Sequence, residues 1–324
     1  MRAALERAWY GSGGAWLAPL AALYGAVAGL RRSAYRAGLL RAERAARPVV
    51  VVGNLTVGGS GKTPLVAWLA AELGARGLKA GIVSRGYGGR VRAPTRVRPD
   101  SDPALVGDEP VLLARRTGAP VAVAADRVAA ARLIEGEVDL VLADDGLQHY
   151  RLARELEIAV VDGERRFGNG RLLPAGPLRE PPGRLTGVDF VVVNGGTAAA
   201  GEIAMRLRPV ALVALGSGER RPLAAFAGRR VHAIAAIGHP ARFFATLRAA
   251  GVLALEHPLP DHAPIGAGTL AFGDGLPLLM TEKDAVKCRG LALGEAYWLE
   301  VAAELEGEGA RRLVERIVAL VPRP

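Results

Sequence analysis

The chain has 324 residues, half of them hydrophobic and 23% charged, which excludes an intrinsically disordered protein and is enough chain for two domains. Its net charge of +10 favours anionic partners, but no aromatic stacking motif or zinc-finger spacing accompanies that charge, so we expect no nucleic acid partner. The single cysteine excludes an intramolecular disulfide and fits a reducing compartment.

The N-terminal segment carries an uncharged stretch, 8–30, with arginines on both sides. Its large apolar residues recur at spacings of four and three and so share one helical face. They are Trp16, Leu20, Leu23, Val27 and Leu30. Glycines and Pro19 weaken a spanning helix, so residues 1–40 are predicted to form a helix on an anionic membrane surface. Ordinary packing on the protein body, or a secretory signal ending near Ala26–Ala28, are the alternatives.

From residue 48 onward, short β-branched runs alternate with helical patterns, which is typical of parallel βαβ units. The predicted strands are 49–52, 80–84, 120–124, 139–143, 157–161 and 190–193. A glycine-rich basic stretch, 215–230, is predicted to be a linker, and a second αβ series follows it up to an amphipathic helix at 306–320. The predicted domains are the N-terminal segment 1–40, a core 41–220 and a smaller C-terminal domain 221–324.

The first predicted strand leads into a glycine-rich turn, GNLTVGGSGKTP, that is typical of a nucleotide phosphate site. In such a P-loop, backbone N–H groups and a helix N-terminus face the anion, the lysine reaches the β/γ oxygens, and the threonine hydroxyl binds magnesium. The usual spacing has glycine where this chain has Thr56, and the alternative is a glycine-rich turn with a stray lysine. The candidate nucleotide-binding residues are Thr56, Gly58, Gly59, Ser60, Gly61, Lys62 and Thr63.

Two further motifs lie after the predicted strand 80–84, and the first of them directly follows that strand, at the sheet edge where ligands gather in open α/β folds. SRGYGG places Arg85 and Tyr87 there, and GDEP opens a helix with Asp108 and Glu109. A kinase that acts on a hydroxyl needs a carboxylate to accept the proton. The two acids could equally be capping charges in the first turn of a helix.

The motif VDLVLADDGLQH supplies the acidic partner that a P-loop needs for its metal ion. Asp144 and Asp145 end a buried run, and adjacent carboxylates repel each other unless a cation is near. A polar loop after a strand is the alternative. The guanine-reading pattern N/T-K-x-D is missing, since TEKD at 281–284 has the wrong order, so the predicted ligands are ATP and Mg²⁺.

Two C-terminal motifs carry polar clusters. HPLPDH brings His257, Asp261 and His262 into one loop, which could be a surface turn or part of a metal site that lacks a further ligand. In TEKDAVKC, Thr281 is predicted to cap a helix whose third position is Asp284.

These motifs resemble the tetraacyldisaccharide 4'-kinase family, the lipid A 4'-kinases of Gram-negative envelope synthesis. The resemblance follows nearly the whole chain in order, through VGNLTVGGSGKTP, SRGYGG, GDEP, DDGLQH, GRLLPAGPLREP, FVVVNGG, AIGHPARFF, HPLPDH and LLMTEKDAVKC. Thr56 fits the form of the family's turn. One departure is AIGHP where GIGNP is expected, which puts in doubt only a contact from that side chain.

The resemblance implies an α/β fold with a P-loop αβα core, a β-strand linker, a smaller Rossmann-like αβα domain and a membrane-associated N-terminal helix. It implies transfer of the γ-phosphate of ATP to the 4'-hydroxyl of a lipid A disaccharide 1-phosphate, at the cytoplasmic face of the inner membrane. We expect a peripheral or monotopic monomer. A membrane-associated P-loop ATPase and a nucleotide-gated protein that binds anionic lipid are the rival functions.

The resemblance also implies roles for individual residues. Lys62 would act on the phosphate, and Thr63, Asp144 and Asp145 would hold magnesium. Asp108 would be the base, oriented by His262. The site would be lined by Arg85, Tyr87, Gln148, His149, Arg179 and Glu180. Because the base and its histidine lie on opposite sides of the linker, we hypothesise that they meet only when the cleft closes, which would limit hydrolysis.

Overall fold

The structure, a computed structural model, describes residues 8–11 and 13–322. The helices are α1 (Ala18–Arg36), α2 (Lys62–Gly74), α3 (Pro103–Val106), α4 (Asp108–Thr117), α5 (Arg127–Ile134), α6 (Pro240–Ala249), α7 (Glu282–Lys287) and α8 (Gly307–Val318). The strands are β1 (Val49–Gly53), β2 (Ala80–Ser84), β3 (Thr95–Val97), β4 (Val121–Val123), β5 (Leu140–Asp144), β6 (Leu156–Asp162), β7 (Phe190–Asn194), β8 (Ile203–Ala214), β9 (Arg220–Arg221), β10 (Arg230–Ala235), β11 (Leu253–Pro258), β12 (Leu278–Thr281) and β13 (Ala296–Leu305).

The strands form one continuous sheet in the order β11-β10-β12-β13-β8-β7-β6-β1-β5-β2-β4-β3, with β9 beside β8. At its centre, β1 lies between β5 and β6, and all three are parallel. Their apolar runs are buried because helices cover both faces, as parallel sheets require. The register pairs Val52 with Asp144, which places the end of β5 beside the start of the glycine-rich turn.

An antiparallel ribbon of β8 and β13 connects two halves of the sheet, a first half that contains β1 to β7 and a second half that contains β10 to β12. β8 continues the first half through parallel pairing with β7, and β13 continues the second half through parallel pairing with β12. The chain then returns to the first half, since Leu313 and Ile317 of α8 share a buried cluster with Leu65 and Leu69 of α2. The two halves are therefore linked by paired strands and by a returning helix.

Each of the six strands predicted before the linker is present, with ends that differ by one residue at most. The prediction missed β8, which occupies 203–214 immediately before the predicted linker. Its first half alternates between buried and exposed positions and carries Arg206 and Arg208, and Pro209 interrupts the strand pattern. The predicted cap of α7 is confirmed, because the Thr281 hydroxyl accepts a hydrogen bond from the Asp284 N–H.

Helix α1 lies on the first half with its apolar stripe facing outward. Leu17 and Ala21 pack on Ala175 and Leu172, whereas each residue of the predicted stripe is more than half exposed. Packing on the protein body thus uses a different face from the stripe. Within 8–11 and 13–322, no helix combines the length and apolarity needed to cross a bilayer.

Candidate functional site

The glycine-rich turn is held in shape by a neighbouring strand. Gly61 precedes α2 with φ 95°, and a Cβ there would lie 2.4 Å from the Nδ2 atom of Asn194 at the end of β7. That amide donates a hydrogen bond to the Ser60 carbonyl over 3.1 Å. Gly61 is therefore required both by its backbone conformation and by the close approach of Asn194. Sequence reasoning had not singled out Asn194.

Thr56 has a structural explanation in this turn. It is buried and forms an isolated antiparallel bridge with Leu178, and the adjacent Val57 N–H donates to the Pro177 carbonyl over 2.8 Å. A side chain is accommodated here because Thr56 has extended, paired backbone. The flexibility that phosphate binding needs lies further on, at Gly58 and Gly61, which both have positive φ.

The two acids that follow the buried β5 run have different surroundings. Both Asp144 oxygens are buried without a well-formed hydrogen bond among the described residues, although the Asp145 N–H approaches weakly. Burial, with Glu109 adding to it and Lys62 opposing it, raises the pKa of Asp144 to about 7. A buried carboxylate with free lone pairs beside a phosphate-binding turn fits a hard divalent cation.

Asp145 is already paired with cations. Its oxygens lie 2.9 Å from Nη1 of Arg179, and its Oδ1 lies 3.5 Å from Nζ of Lys62. Burial alone would raise the pKa of Asp145, but Lys62 and Arg179 outweigh it and hold the pKa below its usual value. Asp145 therefore stays ionised and ties Lys62 to the sheet edge.

Asp108 and His262 are in contact across the two halves of the protein. Nδ1 of His262 lies 3.1 Å from Oδ2 of Asp108, and the imidazole meets the Tyr87 ring edge-on with 4.9 Å between centroids. Burial opposes ionisation of Asp108, but the hydrogen bond from His262 and the charges of Lys283 and Lys287 lower its pKa to about 2. Asp108 is thus a buried carboxylate that stays an anion at neutral pH.

Two lysines that sequence reasoning left without a function surround this pair. Nζ of Lys283 lies 2.8 Å from Oε1 of Glu109 and 3.2 Å from Nε2 of His262. Nζ of Lys287 lies 3.6 Å from Oδ2 of Asp108. Only four of the chain's 42 lysines and arginines are lysines, and two of the four lie in the motif TEKDAVKC. This concentration of a rare residue type was the signal that could have identified Lys283 and Lys287. The capping explanation of that motif, which is also correct, concealed it.

A cavity of about 450 Å³ opens between the two halves at the glycine-rich turn. The first half contributes the turn itself and Glu109, and the second half contributes Gly238, Arg242 and Lys283. The other walls are largely apolar side chains from α4, α6, β8 and β13. This combination of one phosphate-type rim and apolar walls suits a nucleotide.

The predicted lining residues divide into two groups. Tyr87 and Arg179 line the cavity, as does His262. Gln148 and Glu180 lie behind Arg179: the Gln148 amide donates to Glu180 over 3.0 Å, and its oxygen accepts from Arg179 over 3.4 Å. In the described part of the chain these two residues support the cavity wall and do not form it.

Arg85 and His149 lie at the edge of the sheet near Arg127. Arg85 is exposed, and its charge adds to the effect of burial, which lowers the pKa of Arg127 to about 10. Nε2 of His149 accepts a hydrogen bond from the Arg127 backbone N–H over 3.3 Å, and burial followed by the Arg127 charge lowers the pKa of His149 to about 4. His149 is therefore a neutral structural acceptor at this edge.

Comparison with known proteins gives a consistent set of matches. The family described as tetraacyldisaccharide-1-P 4'-kinase matches residues 14–319. A curated protein named tetraacyldisaccharide 4'-kinase, from Alkalilimnicola ehrlichii, is 56% identical over 311 residues, which cover 94% of this chain and 92% of that protein. A crystal structure of an "apo" form of LpxK from Aquifex aeolicus in complex with ATP has 28% identity and a TM-score of 0.80, covering 95% of this chain and 99% of that one.

Proposed function

The chain belongs to the tetraacyldisaccharide-1-P 4'-kinase family, and from that membership we propose that it transfers the γ-phosphate of ATP to the 4'-hydroxyl of a lipid A disaccharide 1-phosphate. The observation that carries the proposal is the contact of buried Asp108 with His262, because His262 lines the cavity into which the glycine-rich turn opens. A P-loop ATPase or a binding module needs no carboxylate–histidine pair at that place. An acceptor hydroxyl does, because its proton must be accepted.

The nucleotide half of the site supports ATP as the phosphate donor. The matched Aquifex aeolicus protein was solved with ATP. Here, the backbone of Gly58–Gly61 and the N-terminus of α2 would face the phosphates, and Lys62 would reach the β/γ oxygens. The side chain of Lys62 is 11% exposed, so its charge acts in a water-poor environment, where it is strong.

Asp144 and Thr63 are the residues that would hold magnesium, and the free lone pairs of Asp144 support this assignment. When bound, magnesium would neutralise charge on the β and γ oxygens. Asp145 would act beside it by holding Lys62 and Arg179.

Asp108 would accept the proton of the 4'-hydroxyl. Its low pKa makes it a weak base, but phosphoryl transfer has a loose transition state in which orienting the nucleophile matters more than early proton removal. His262 would hold the carboxylate at the required angle. Arg179, which shares the cavity wall, would spread the negative charge of the transferring group.

Helix α1 would bring this site to an anionic membrane surface, at the cytoplasmic face of the inner membrane, with the protein peripheral or monotopic. Its outward stripe is apolar, and its other contacts reach the site, because the Tyr24 hydroxyl donates to the Arg179 carbonyl over 3.2 Å and Arg31 donates to the Gln148 carbonyl over 3.1 Å. A lipid acceptor held at the bilayer would thus approach beside Arg179. We propose a monomer, with no role for nucleic acid.

One experiment separates this function from its rivals. The purified chain is incubated with γ-labelled ATP, magnesium and tetraacyldisaccharide 1-phosphate, and label is sought in the lipid. We expect the labelled phosphate to appear in the lipid, and ATP turnover to depend on the presence of that lipid. Label in free phosphate at equal rates with and without lipid would indicate an ATPase, and nucleotide binding without turnover would indicate a binding protein; either result would overturn the proposal.

A further inference from the structure

Lys283 occupies a position where three acceptors converge on one nitrogen. Its Nζ atom lies 2.8 Å from Oε1 of Glu109, 3.3 Å from Oδ1 of Asp261 and 3.2 Å from Nε2 of His262. The side chain is 14% exposed, so the ammonium depends on these partners for its hydrogen bonds. A compact ammonium suits this convergence, whereas the planar fork of arginine spreads its donors apart.

The chemistry of the ammonium group fixes the role of His262. A lysine ammonium has three donors and no acceptor, so Nε2 of His262 must be the acceptor in their contact. The imidazole proton is then on Nδ1, the nitrogen that lies 3.1 Å from the Asp108 carboxylate. We propose that Lys283 is a positioning residue that holds His262 in the Nδ1–H tautomer, so that His262 donates to Asp108 and leaves it an anion. This inference rests on the proposed function only for its effect on the reaction.

The opposite tautomer would disable the pair. With the proton on Nε2, an N–H would face the Lys283 ammonium, and the lone pair of Nδ1 would face the lone pairs of the Asp108 carboxylate. That repulsion would turn the carboxylate away or require it to be protonated, and a protonated Asp108 could not accept a hydroxyl proton. Asp261 does not take the place of Lys283: its Oδ1, 3.7 Å from Nε2, accepts from the Lys283 ammonium over 3.3 Å, and a carboxylate oxygen that accepts there offers no hydrogen to Nε2.

The tautomer can be measured directly in the wild-type protein. The chain is labelled with ¹⁵N-histidine, and a His262→Gln variant assigns the resonances of His262 among the five histidines. We expect a pyridine-type ¹⁵N shift at Nε2 and a pyrrole-type shift at Nδ1. A protonated Nε2 in the wild-type protein would overturn the proposal whatever the variants do.

Substitution then tests whether Lys283 is the cause. Lys283→Met should abolish the single tautomer and lower kcat about 10²-fold, the lower end of what a general base contributes, while KM for ATP changes little. Lys283→Arg, which is also donor-only, should keep the tautomer and regain part of kcat. The matched control is Lys79→Met, an exposed lysine whose substitution should change neither quantity.

The outcomes distinguish this inference from the proposed function. A Lys283→Met protein that keeps both the wild-type tautomer and its kcat contradicts the positioning role. A wild-type protein that never labels the lipid contradicts the proposed function but leaves the tautomer measurement valid. If Lys283→Met does not fold, the wild-type spectrum and the Lys283→Arg variant decide the question.

Discussion

At the scale of single residues, three carboxylates of the site are set apart by their partners. Asp108 is held as an anion by His262, and Asp145 is paired with Lys62 and Arg179. Among the described residues, neither oxygen of Asp144 has a well-formed hydrogen bond. Carboxylates in different surroundings can perform different tasks in one site. The proposed roles of base, anchor for Lys62 and metal ligand follow this division.

Replacing Asp108 tests the proposed base. Asp108→Asn keeps the volume of the side chain and an oxygen for the hydrogen bond from the Glu109 N–H, but it removes the charge. Lipid phosphorylation should fall about 10²- to 10⁴-fold, the usual contribution of a general base, while ATP affinity stays near the wild-type value. Labelled-lipid formation and equilibrium ATP binding are measured on the same preparation.

Asp102→Asn is the matched control for that substitution. Asp102 is exposed and caps α3 by accepting from the Ala104 N–H over 2.8 Å, and asparagine caps helices equally well. Its phosphorylation rate should be unchanged. Substantial transfer by Asp108→Asn would remove Asp108 from the base role.

The pKa of His149 predicts how the free energy of unfolding depends on pH. Its pKa is lowered to about 4 in the folded protein and is about 6.5 when unfolded, so the unfolded chain binds more protons between these values and stability is lost as pH falls through them. Between pH 8 and pH 5 the loss from this group is about 2 kcal/mol. His149→Gln, which can still accept from the Arg127 N–H, should remove that part of the pH dependence in urea unfolding. An unchanged slope would mean that His149 titrates normally when folded.

The residues of the site were predictable to different degrees from the sequence. The glycine-rich turn and Asp144–Asp145 follow from local motifs, since their spacing along the chain is their spacing in the site. The assignment of Asp108 and His262 as partners came from the family resemblance, because 154 residues separate them and no periodicity connects them. Asn194 and Lys283 were missed for the same reason: each acts across strands or halves that only the fold brings together.

At the scale of secondary structure elements, burial decided which strands could be predicted. β1 and β5 are continuous apolar runs because both of their faces are covered. In β8, by contrast, several residues are exposed, arginines among them, and Pro209 interrupts the strand pattern. The sequence of β8 is therefore not a continuous apolar run. The prediction therefore placed the connection between the halves at 215–230, whereas the halves are joined by β8, which ends at Ala214, and by its pairing with β13.

The outward stripe of α1 predicts membrane binding that is separable from folding. A triple variant in which glutamine replaces Leu20, Leu23 and Val27 should bind vesicles that contain anionic lipid about 10²-fold more weakly. The estimate takes about 1 kcal/mol for each side chain that is half buried in the bilayer when the protein is bound. The free energy of unfolding should change little, because these side chains are exposed in the structure. Vesicle sedimentation and urea unfolding measure the two quantities.

A matched control for α1 uses exposed leucines on other elements. Leu105 and Leu253 are also about half exposed, and their double replacement by glutamine should leave vesicle binding unchanged. If the α1 variant binds vesicles as tightly as the wild-type protein, the stripe does not contact the membrane.

At the scale of the whole molecule, ion pairs between the two halves surround the cavity. Lys283 reaches Glu109, and Arg116 reaches Glu282 over 3.0 Å. Asp108 and His262 are in contact as well, so this structure has the arrangement that was hypothesised to require closure of the cleft. Since the two halves already approach across the nucleotide cavity, small changes in their separation should alter catalysis more than stability.

Gly238 of the second half lies against the backbone of the glycine-rich turn, and its replacement tests this expectation. A Cβ on Gly238 would lie 2.3 Å from the backbone nitrogen of Gly59, a distance that real Cβ atoms do not adopt. Gly238→Ala should push the second half about 1 Å away from the glycine-rich turn, and a displacement of that size costs about 10²-fold in rate. We expect kcat/KM for ATP to fall by that factor while the unfolding midpoint moves little, because β8 and β13 still join the halves. Gly266→Ala is the control, because Gly266 has φ −122° and an added Cβ would have no atom of residues 8–11 or 13–322 within 4 Å. This substitution should leave both quantities unchanged. Wild-type kinetics in Gly238→Ala would show that the turn and the second half need not be this close during the reaction.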